Sequence, residues 1–364
     1  MIEAVENILL EKKVLRTIAR DVSKTARAVG LVYVYCNEAG FTRIRTDSGF
    51  VYMDGNRRLR DSVHLERIRR LVLPPAWEKV WICKRPEGHL QATGIDKAGR
   101  KQYRYHPGWV SIRNQTKFYK LREFGERLQI IRIRLKKDLA LPGYPQDKVL
   151  AAMVSLMEMA SIRIGNVFYE NLYGSFGLTT LKDHHVNISG TKLKLMFLGK
   201  KGVSHNINLS SGRLAKIIQG CKDIPGKELF QYYDEEGTRR SVDSGMVNNY
   251  IREISEGDFT AKDFRTWAGS IQALLAFKEV GDYTTTTGMN KNIAAALDMV
   301  AAKLGNTRAV CKKYYVHPVI INMYQEKSLD RYLKEINKDD VSKDDEGYSN
   351  EERVLLKILR SPVV

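Results

Sequence analysis

Tyr315 lies in the stretch VCKKYYVHP, residues 310–318, behind a second tyrosine and two lysines and directly before Val-His-Pro. A phenol has an ordinary pKa of about 10, so it is a weak nucleophile near neutral pH and needs cations that stabilise the charge its attack creates. Lys312 and Lys313 begin to supply them. Three stretches upstream each put a cation in a turn-like setting: SIRIGN around Arg163, FLGKKG around Lys200 and KDFRTWAG around Arg265. Attack of an oxygen on a phosphodiester builds negative charge on two nonbridging oxygens and on the departing oxygen. Arginine suits the nonbridging pair, because its planar fork gives two hydrogen bonds at once and keeps its charge. Arg163 and Arg265 are the candidates. Lysine can release a proton to a departing alkoxide, and Lys200 or its neighbour Lys201 stands at a Gly-Lys-Lys-Gly hairpin tip from which it could reach in.

The composition points to the same class of substrate. The 364 residues hold 60 Lys and Arg against 42 Asp and Glu, a formal net charge of +18, with a pI of about 9.6. The excess is spread along the chain, which implies a polyanionic partner, nucleic acid before an anionic membrane. No apolar run approaches the roughly 20 residues that span a bilayer, and the start, MIEAVENILLEKK, has acids where a signal peptide needs bases. A soluble, intracellular protein is expected. Cys36, Cys83, Cys221 and Cys311 are far apart and show no CxxC pairing, so buried free thiols are expected in place of a zinc site or disulfides. There is no GxxxxGK[ST] phosphate loop, no HExxH and no carboxylate cluster at metal-ligand spacing, and the expectation is neither a nucleotide cofactor nor a metal.

The elements that must position these residues follow from the hydrophobic period. Leu9 to Val29 reads as an amphipathic lead-in helix. Leu31 to Cys36, Thr42 to Thr46, Phe50 to Met53, Val80 to Cys83 and Gly88 to Thr93 read as strands, with a short helix from Ser62 to Leu71. In the segment GRKQYRYHP, an extended strand would carry Arg100, Gln102 and Arg104 on one face and Lys101, Tyr103 and Tyr105 on the other. That mixture suits phosphate contact with base-edge contact, or equally a charged edge strand protected from aggregation. From Trp109 to Leu139 the period is helical, and Lys148 to Ala160 is apolar enough for the centre of a second core. Leu178 to Leu181, Val186 to Ile188, Leu193 to Leu198 and Val203 to Leu209 read as a meander; helices follow at Ser211–Gln219, Val242–Glu253, Ala261–Glu279, Asn290–Leu304 and Pro318–Ile336. Asn337 to Glu352 is charged and almost without apolar residues, and is expected to be mobile before a last short helix. The predicted class is α+β: a β-rich domain over 1–110, a mainly helical domain over 111–336 with the meander inside it, and a charged tail over 337–364. His184 and His185 read as surface turn residues, His317 as a helix cap, and the four tryptophans as packing residues, Trp267 being the one close to Arg265 in sequence.

Taken together, SIRIGN, FLGKKGVSH, KDFRTWAG and LGNTRAVCKKYYVHP, preceded by LPPAWEKVWICKRPEGHLQATGIDKAGRKQYRYHP, resemble the type IB DNA topoisomerases, in particular the compact bacterial branch that is similar to the poxvirus enzyme. The resemblance covers roughly residues 30 to 325 in the family's order. By position it implies Tyr315 as nucleophile, Arg163 and Arg265 as the arginines that bind the phosphate, Lys200 as general acid, and Asn306 as the fifth member. That fifth position is histidine in the poxvirus and eukaryotic members and asparagine in the bacterial branch. An amide still donates a hydrogen bond but brings no imidazolium charge.

What the resemblance implies is a chain that attacks duplex DNA through Tyr315, holds a 3′-phosphotyrosyl link, lets the cut strand rotate and rejoins it, without ATP or metal. It implies a C-shaped clamp, closing as a monomer on double-stranded DNA in the cytoplasm at the nucleoid. Within that clamp Gln102 and Tyr103 would reach toward bases and Arg100, Lys101 and Arg104 toward phosphates; Lys262 would help Lys200 protonate the departing oxygen, Lys312 and Lys313 would bind DNA beside the tyrosines, and His205 would either touch a phosphate or simply close its strand. A tyrosine recombinase or integrase shares the reactive set, but usually has histidine where Lys262 stands and an all-helical first domain, whereas the first part of this chain reads as β-rich.

Overall fold

Backbone donors left over at element ends set much of the local structure. In the computed structural model, which describes residues 21–47, 49–97, 99, 101–336 and 347–361, the side chains of 114–117 and 168–169 apart, Asp21 accepts from the backbone N–H of Ser23 and Lys24 and opens helix α1 (Val22–Arg27). The first part of the expected lead-in helix, Leu9 to Arg20, lies outside the described residues, as does Arg100. The chain divides into two compact units, residues 1–120 and 121–364.

In the first unit, β1 (Gly40–Thr46), β2 (Gly49–Asp54), β3 (Arg57–Arg58), β4 (Glu78–Cys83), β5 (Leu90–Ile95) and β6 (Lys101–Tyr105) form one antiparallel sheet in the order β3-β2-β1-β4-β5-β6. Helix α2 (Ser62–Arg70), capped by Asp61, drops Ile68 onto Phe41, Val80, Ile82 and Ala92. A second cluster joins Ala26 and Leu31 to Trp109 and Ile112 of α3 (Pro107–Asp138). The strand expected at Leu31–Cys36 does not form; this segment makes one isolated bridge, Val32 to Gly88. The reason is local. The Val34 N–H donates to His89 Nδ1 at 3.1 Å and the Tyr35 N–H to Glu38 Oε1 at 2.8 Å, so side chains take the donors a ladder would use.

The second unit is built around α4 (Gln146–Ala160), whose Val149 to Val154 are all at most 1% exposed. Its meander, β7 (Val186–Ser189), β8 (Lys192–Leu198) and β9 (Ser204–Ser210), buries Leu193, Leu195 and Phe197 and exposes the lysines and Met196 between them, the period of a half-buried sheet. Around it run α5 (Val167–Tyr173), α6 (Gly212–Lys222), the small pair β10 (Gln231–Tyr233) and β11 (Arg239–Ser241), α7 (Ser244–Ser255), α8 (Ala261–Val280), α9 (Thr286–Leu304), α10 (Arg308–Tyr314), α11 (Pro318–Gln325), α12 (Asp330–Leu333) and α13 (Asn350–Arg360).

Four expectations are corrected here. His185, expected at the surface, is buried, because its Nδ1 accepts from the Lys182 N–H at 2.9 Å and its ring packs on Phe176. Leu178–Leu181 is a 3₁₀ turn and not a strand, because Leu178 and Thr179 donate to the carbonyls of Arg163 and Ile164 at 2.9 and 2.7 Å. Pro318–Ile336 is two helices: Lys327 adopts φ +58°, and the N–H groups of Ser328 and Leu329 close back on Met323 O. The charged tail expected over 337–364 is in part core. Residues 337–346 lie outside the described residues, but α13 buries Val354, Leu355, Leu356, Ile358 and Leu359 in the second unit. The four cysteines are free, three buried and Cys36 half-exposed. Among the described residues no helix is long and apolar enough to cross a membrane, and no group of His, Cys, Asp and Glu is placed to hold a metal ion.

Candidate active site

Tyr315 ends α10, a short helix opened by Thr307, whose hydroxyl accepts from the Val310 N–H at 3.4 Å. Its own N–H donates to Cys311 O at 3.0 Å. Pro318 fixes the exit, for His317 Nδ1 accepts from the Val319 N–H at 3.2 Å and so caps α11. Between the two helices the chain is pinned to α8. Ser270 Oγ donates to Tyr315 O at 3.3 Å and accepts from the His317 N–H at 3.1 Å. One residue earlier, a Cβ on Gly269 would come within 2.6 Å of Tyr315 O, so the absence of a side chain there is what lets the tyrosine backbone sit on the helix.

One turn before Gly269, Arg265 brings its guanidinium carbon to 5.2 Å from the Tyr315 ring centroid. It is 4% exposed, a deep burial for a charged group. It donates to Leu304 O at 2.8 Å and to Ser161 O, while its buried Nε has no hydrogen-bond partner among the described residues. A buried donor left unmet costs about 1–3 kcal/mol, a cost that an anion in the site would remove. Trp267, two residues on, points elsewhere: its indole donates to Glu352 Oε1 at 3.1 Å.

Arg163 follows α4 by way of Ser161, which takes the left-handed φ of +53°. The loop it sits in is clamped by the 3₁₀ turn, and Gly165 and Gly177 approach so closely that a Cβ on Gly177 would lie 2.6 Å from Gly165 Cα. The Arg163 guanidinium donates to Gly305 O at 3.0 Å and to Asn306 Oδ1 at 2.5 Å. Burial and the like charge of Arg265 lower its basicity, and Tyr315 and Cys311 partly restore it. Cys311 itself is buried beneath the pair, and burial pushes its thiol up to about 11 against the pull of both arginines. It therefore stays a neutral thiol near pH 7.

Lys200 stands, exposed, at the β8–β9 tip, where Lys201 takes φ +64° and the Gly199 N–H donates to Val203 O at 2.7 Å. His205 lies beneath the tip. A Cβ on Gly199 would be 2.6 Å from its Nε2, and one on Gly305 2.9 Å from its Cε1. Exposed Lys262 and Lys313 hold their ammonium groups 5.9 and 5.4 Å from the Tyr314 ring, so the two tyrosines have different cations: lysines at Tyr314, a buried arginine at Tyr315. Lys312 is exposed on α10.

Of the residues singled out in the sequence, the fold gathers Tyr315, Arg163, Arg265 and Asn306, with the stem of the Lys200 hairpin, into one cluster of the second unit. Lys262, His205, Lys312 and Lys313 lie around that cluster in the second unit, whereas Lys101, Gln102, Tyr103 and Arg104 belong to the first unit, on edge strand β6. There Lys101 Nζ lies 2.9 Å from Cys36 Sγ, the Gln102 amide donates to Asp96 at 2.9 Å, the rings of Tyr103 and Tyr105 stack at 5.9 Å, and Arg104 is exposed. The sequence suggests no place in the site for Gly269, Ser270 and Gly305, and for Cys311 only that of a buried free thiol. The pair of small residues in WAGS, one turn past Arg265, is the only local signal for the first two.

Comparison with known proteins gives the family. The family model described as "Eukaryotic DNA topoisomerase I, catalytic core" matches residues 106–340, which include all five clustered or tip residues, and "Bacterial DNA topoisomerase IB, N-terminal domain" matches residues 49–96. DNA topoisomerase 1B of Acanthamoeba polyphaga mimivirus is 32% identical over 295 residues, 79% of this chain and 88% of the relative. DNA topoisomerase 1B of Vaccinia virus is 24% identical over 293 residues, again 79% and 88%. DNA topoisomerase 1 of Rabbit fibroma virus is 25% identical over 241 residues, 63% and 70%. These matches favour a topoisomerase over the recombinase alternative: the chain belongs to the type IB DNA topoisomerases.

Proposed function

We propose that Tyr315 is the nucleophile through which this topoisomerase cuts one strand of duplex DNA, relaxes positive and negative supercoils by strand rotation, and reseals the strand. The Tyr315 oxygen forms a bond to phosphorus as the bond to the 5′ oxygen breaks. The phenolic proton leaves to solvent, and Lys200 gives a proton to the departing 5′ oxygen. Arg163, Arg265 and the Asn306 amide donate to the nonbridging oxygens, where charge gathers in the transition state. Asn306 Oδ1 accepts from Arg163 and its NH₂ donates to Leu304 O at 3.4 Å, which leaves the second N–H as a donor for phosphate. The 5′ hydroxyl then reverses each step. One phosphodiester is exchanged for another, so neither ATP nor a metal enters the balance.

The observation that supports this reading most is the buried Arg265 guanidinium over the Tyr315 ring at 5.2 Å, with its unmet Nε donor. In the same proposal Lys262, Lys312 and Lys313 follow the neighbouring phosphates. Lys101, Gln102, Tyr103 and Arg104, with Arg100, engage DNA from the first unit, and the two units close as a C-shaped clamp in which the protein works as a monomer at the cytoplasmic nucleoid. The test is to trap the cleaved complex with detergent, digest it and identify the tyrosine and DNA end joined. Tyr315 on a 3′ phosphate is expected. A link at Tyr314, or to a 5′ phosphate, would overturn the assignment.

A further inference from the structure

The β8–β9 register sets His205 opposite Phe197, and the two rings stack with centroids 4.8 Å apart and planes 20° from parallel. Phe197 is buried in the second unit's core, so the imidazole rests on a fixed floor. Its other edges meet two glycines that are distant in sequence. Gly199 directly precedes Lys200; Gly305 directly precedes Asn306, and its carbonyl accepts from Arg163. Each glycine could carry a Cβ only by displacing the same ring, at 2.6 and 2.9 Å. At Gly305, Val203 of the same hairpin also closes to 3.3 Å.

We propose that His205 is a positioning residue: its ring is the wedge through which the Lys200 hairpin docks on the Asn306 turn, and it thereby sets where the general acid stands. Lys200 is exposed at the hairpin tip, whose outer side lies against α5. The stem beneath sets where the tip starts. Burial, with the like charges of Arg163 and Arg265, lowers the His205 pKa, in keeping with a neutral packing ring. In this role His205 touches neither the scissile phosphate nor the leaving oxygen.

The inference rests on Lys200 being the general acid, and the experiment separates the two claims. Single-turnover cleavage is measured on a normal duplex and on one with sulfur in place of the bridging 5′ oxygen, which leaves as a thiolate. A thiol has a pKa of about 8.5, so this leaving group departs without a proton donor. His205→Ala is expected to cut the normal duplex about 10- to 100-fold more slowly, the size of effect that misplacing a catalytic group produces. It should cut the sulfur duplex within about threefold of wild type and bind both equally. His205→Phe, which keeps a flat ring but no nitrogens, should stay within about threefold of wild type on both substrates, and also controls for folding.

Wild-type cleavage of the normal duplex by His205→Ala would overturn the inference, as would a defect that sulfur leaves untouched. A His205→Phe as slow as His205→Ala would assign the ring nitrogens a direct DNA contact, and so overturn it too. Lys200→Ala serves as the benchmark. If sulfur restores Lys200→Ala but not His205→Ala, only the positioning role falls; if it restores neither, the general-acid reading falls and takes the inference with it.

Discussion

What distinguishes Tyr315 from Tyr314 is the kind of cation each one meets. Exposed lysines beside Tyr314 are screened and mobile, whereas Arg265 is fixed by two backbone carbonyls and shielded from solvent, so its charge acts at full strength on an oxyanion nearby. Asn306 follows the same logic with opposite chemistry. Its oxygen is committed to Arg163, so replacing the NH₂ by a second carboxylate oxygen would keep the Arg163 bond and turn a donor into a repelling charge. Asn306→Asp is expected to slow single-turnover cleavage by about 10²-fold or more, the cost of one lost oxyanion donor, with little loss of stability. A rate within about threefold of wild type would remove Asn306 from the phosphate. The candidates Arg163, Lys200 and Tyr315 were legible in the sequence because each is a charged or phenolic group beside turn residues, whereas Arg265, expected in a turn-like setting, is inside α8. Gly269, Gly305 and the docking of His205 were not, since a missing Cβ matters only for what approaches it from elsewhere in the chain.

Among the elements, α13 holds an unexpected place. Glu352, 7% exposed, accepts two hydrogen bonds from Arg132 at 2.7 and 3.0 Å and one from Trp267 of α8, while Arg132 also reaches Glu158 at the end of α4. The helix that bears Arg265 and the one that leads to Arg163 thus share one buried ionic node. Burial alone would raise the Glu352 pKa, but the Arg132 hydrogen bonds outweigh it and hold the carboxyl below the usual range. Glu352→Ala removes one of the two carboxylates on Arg132 and leaves Glu158, and is expected to cost about 1–3 kcal/mol in denaturant unfolding at pH 7. The depressed pKa places that contribution above the ordinary glutamate pKa of 4.5, so the gap to wild type should narrow as pH falls below it. A loss under about 1 kcal/mol at pH 7 would show the node to be ornamental. The composition of 337–352 masked this: charged residues read as solvated unless their partners are known, and Arg132 lies 220 positions from Glu352. The strands and helices with a clear period, β1, β2, β4, β8, β9, α2 and α8, were legible; Leu31–Cys36 and Leu178–Leu181 misled because side chains and a distant loop supply their hydrogen bonds.

For the molecule as a whole, the net charge of +18 and its spread over both units signalled a polyanion before any element was assigned. It could not tell relaxation from mere binding, because both need the charge and only one needs a tyrosine set against a buried arginine. Relaxation through a tyrosyl link has no directional coupling: torsion in the DNA drives rotation, so both signs of supercoil run down and no nucleotide is consumed. The direct measurement is relaxation of positively and negatively supercoiled plasmid without ATP and with EDTA, by wild type and Tyr315→Phe. The account predicts that wild type relaxes both, while Tyr315→Phe shifts DNA on a gel and relaxes neither. Relaxation by Tyr315→Phe, or a wild type inert on both plasmids, would contradict it.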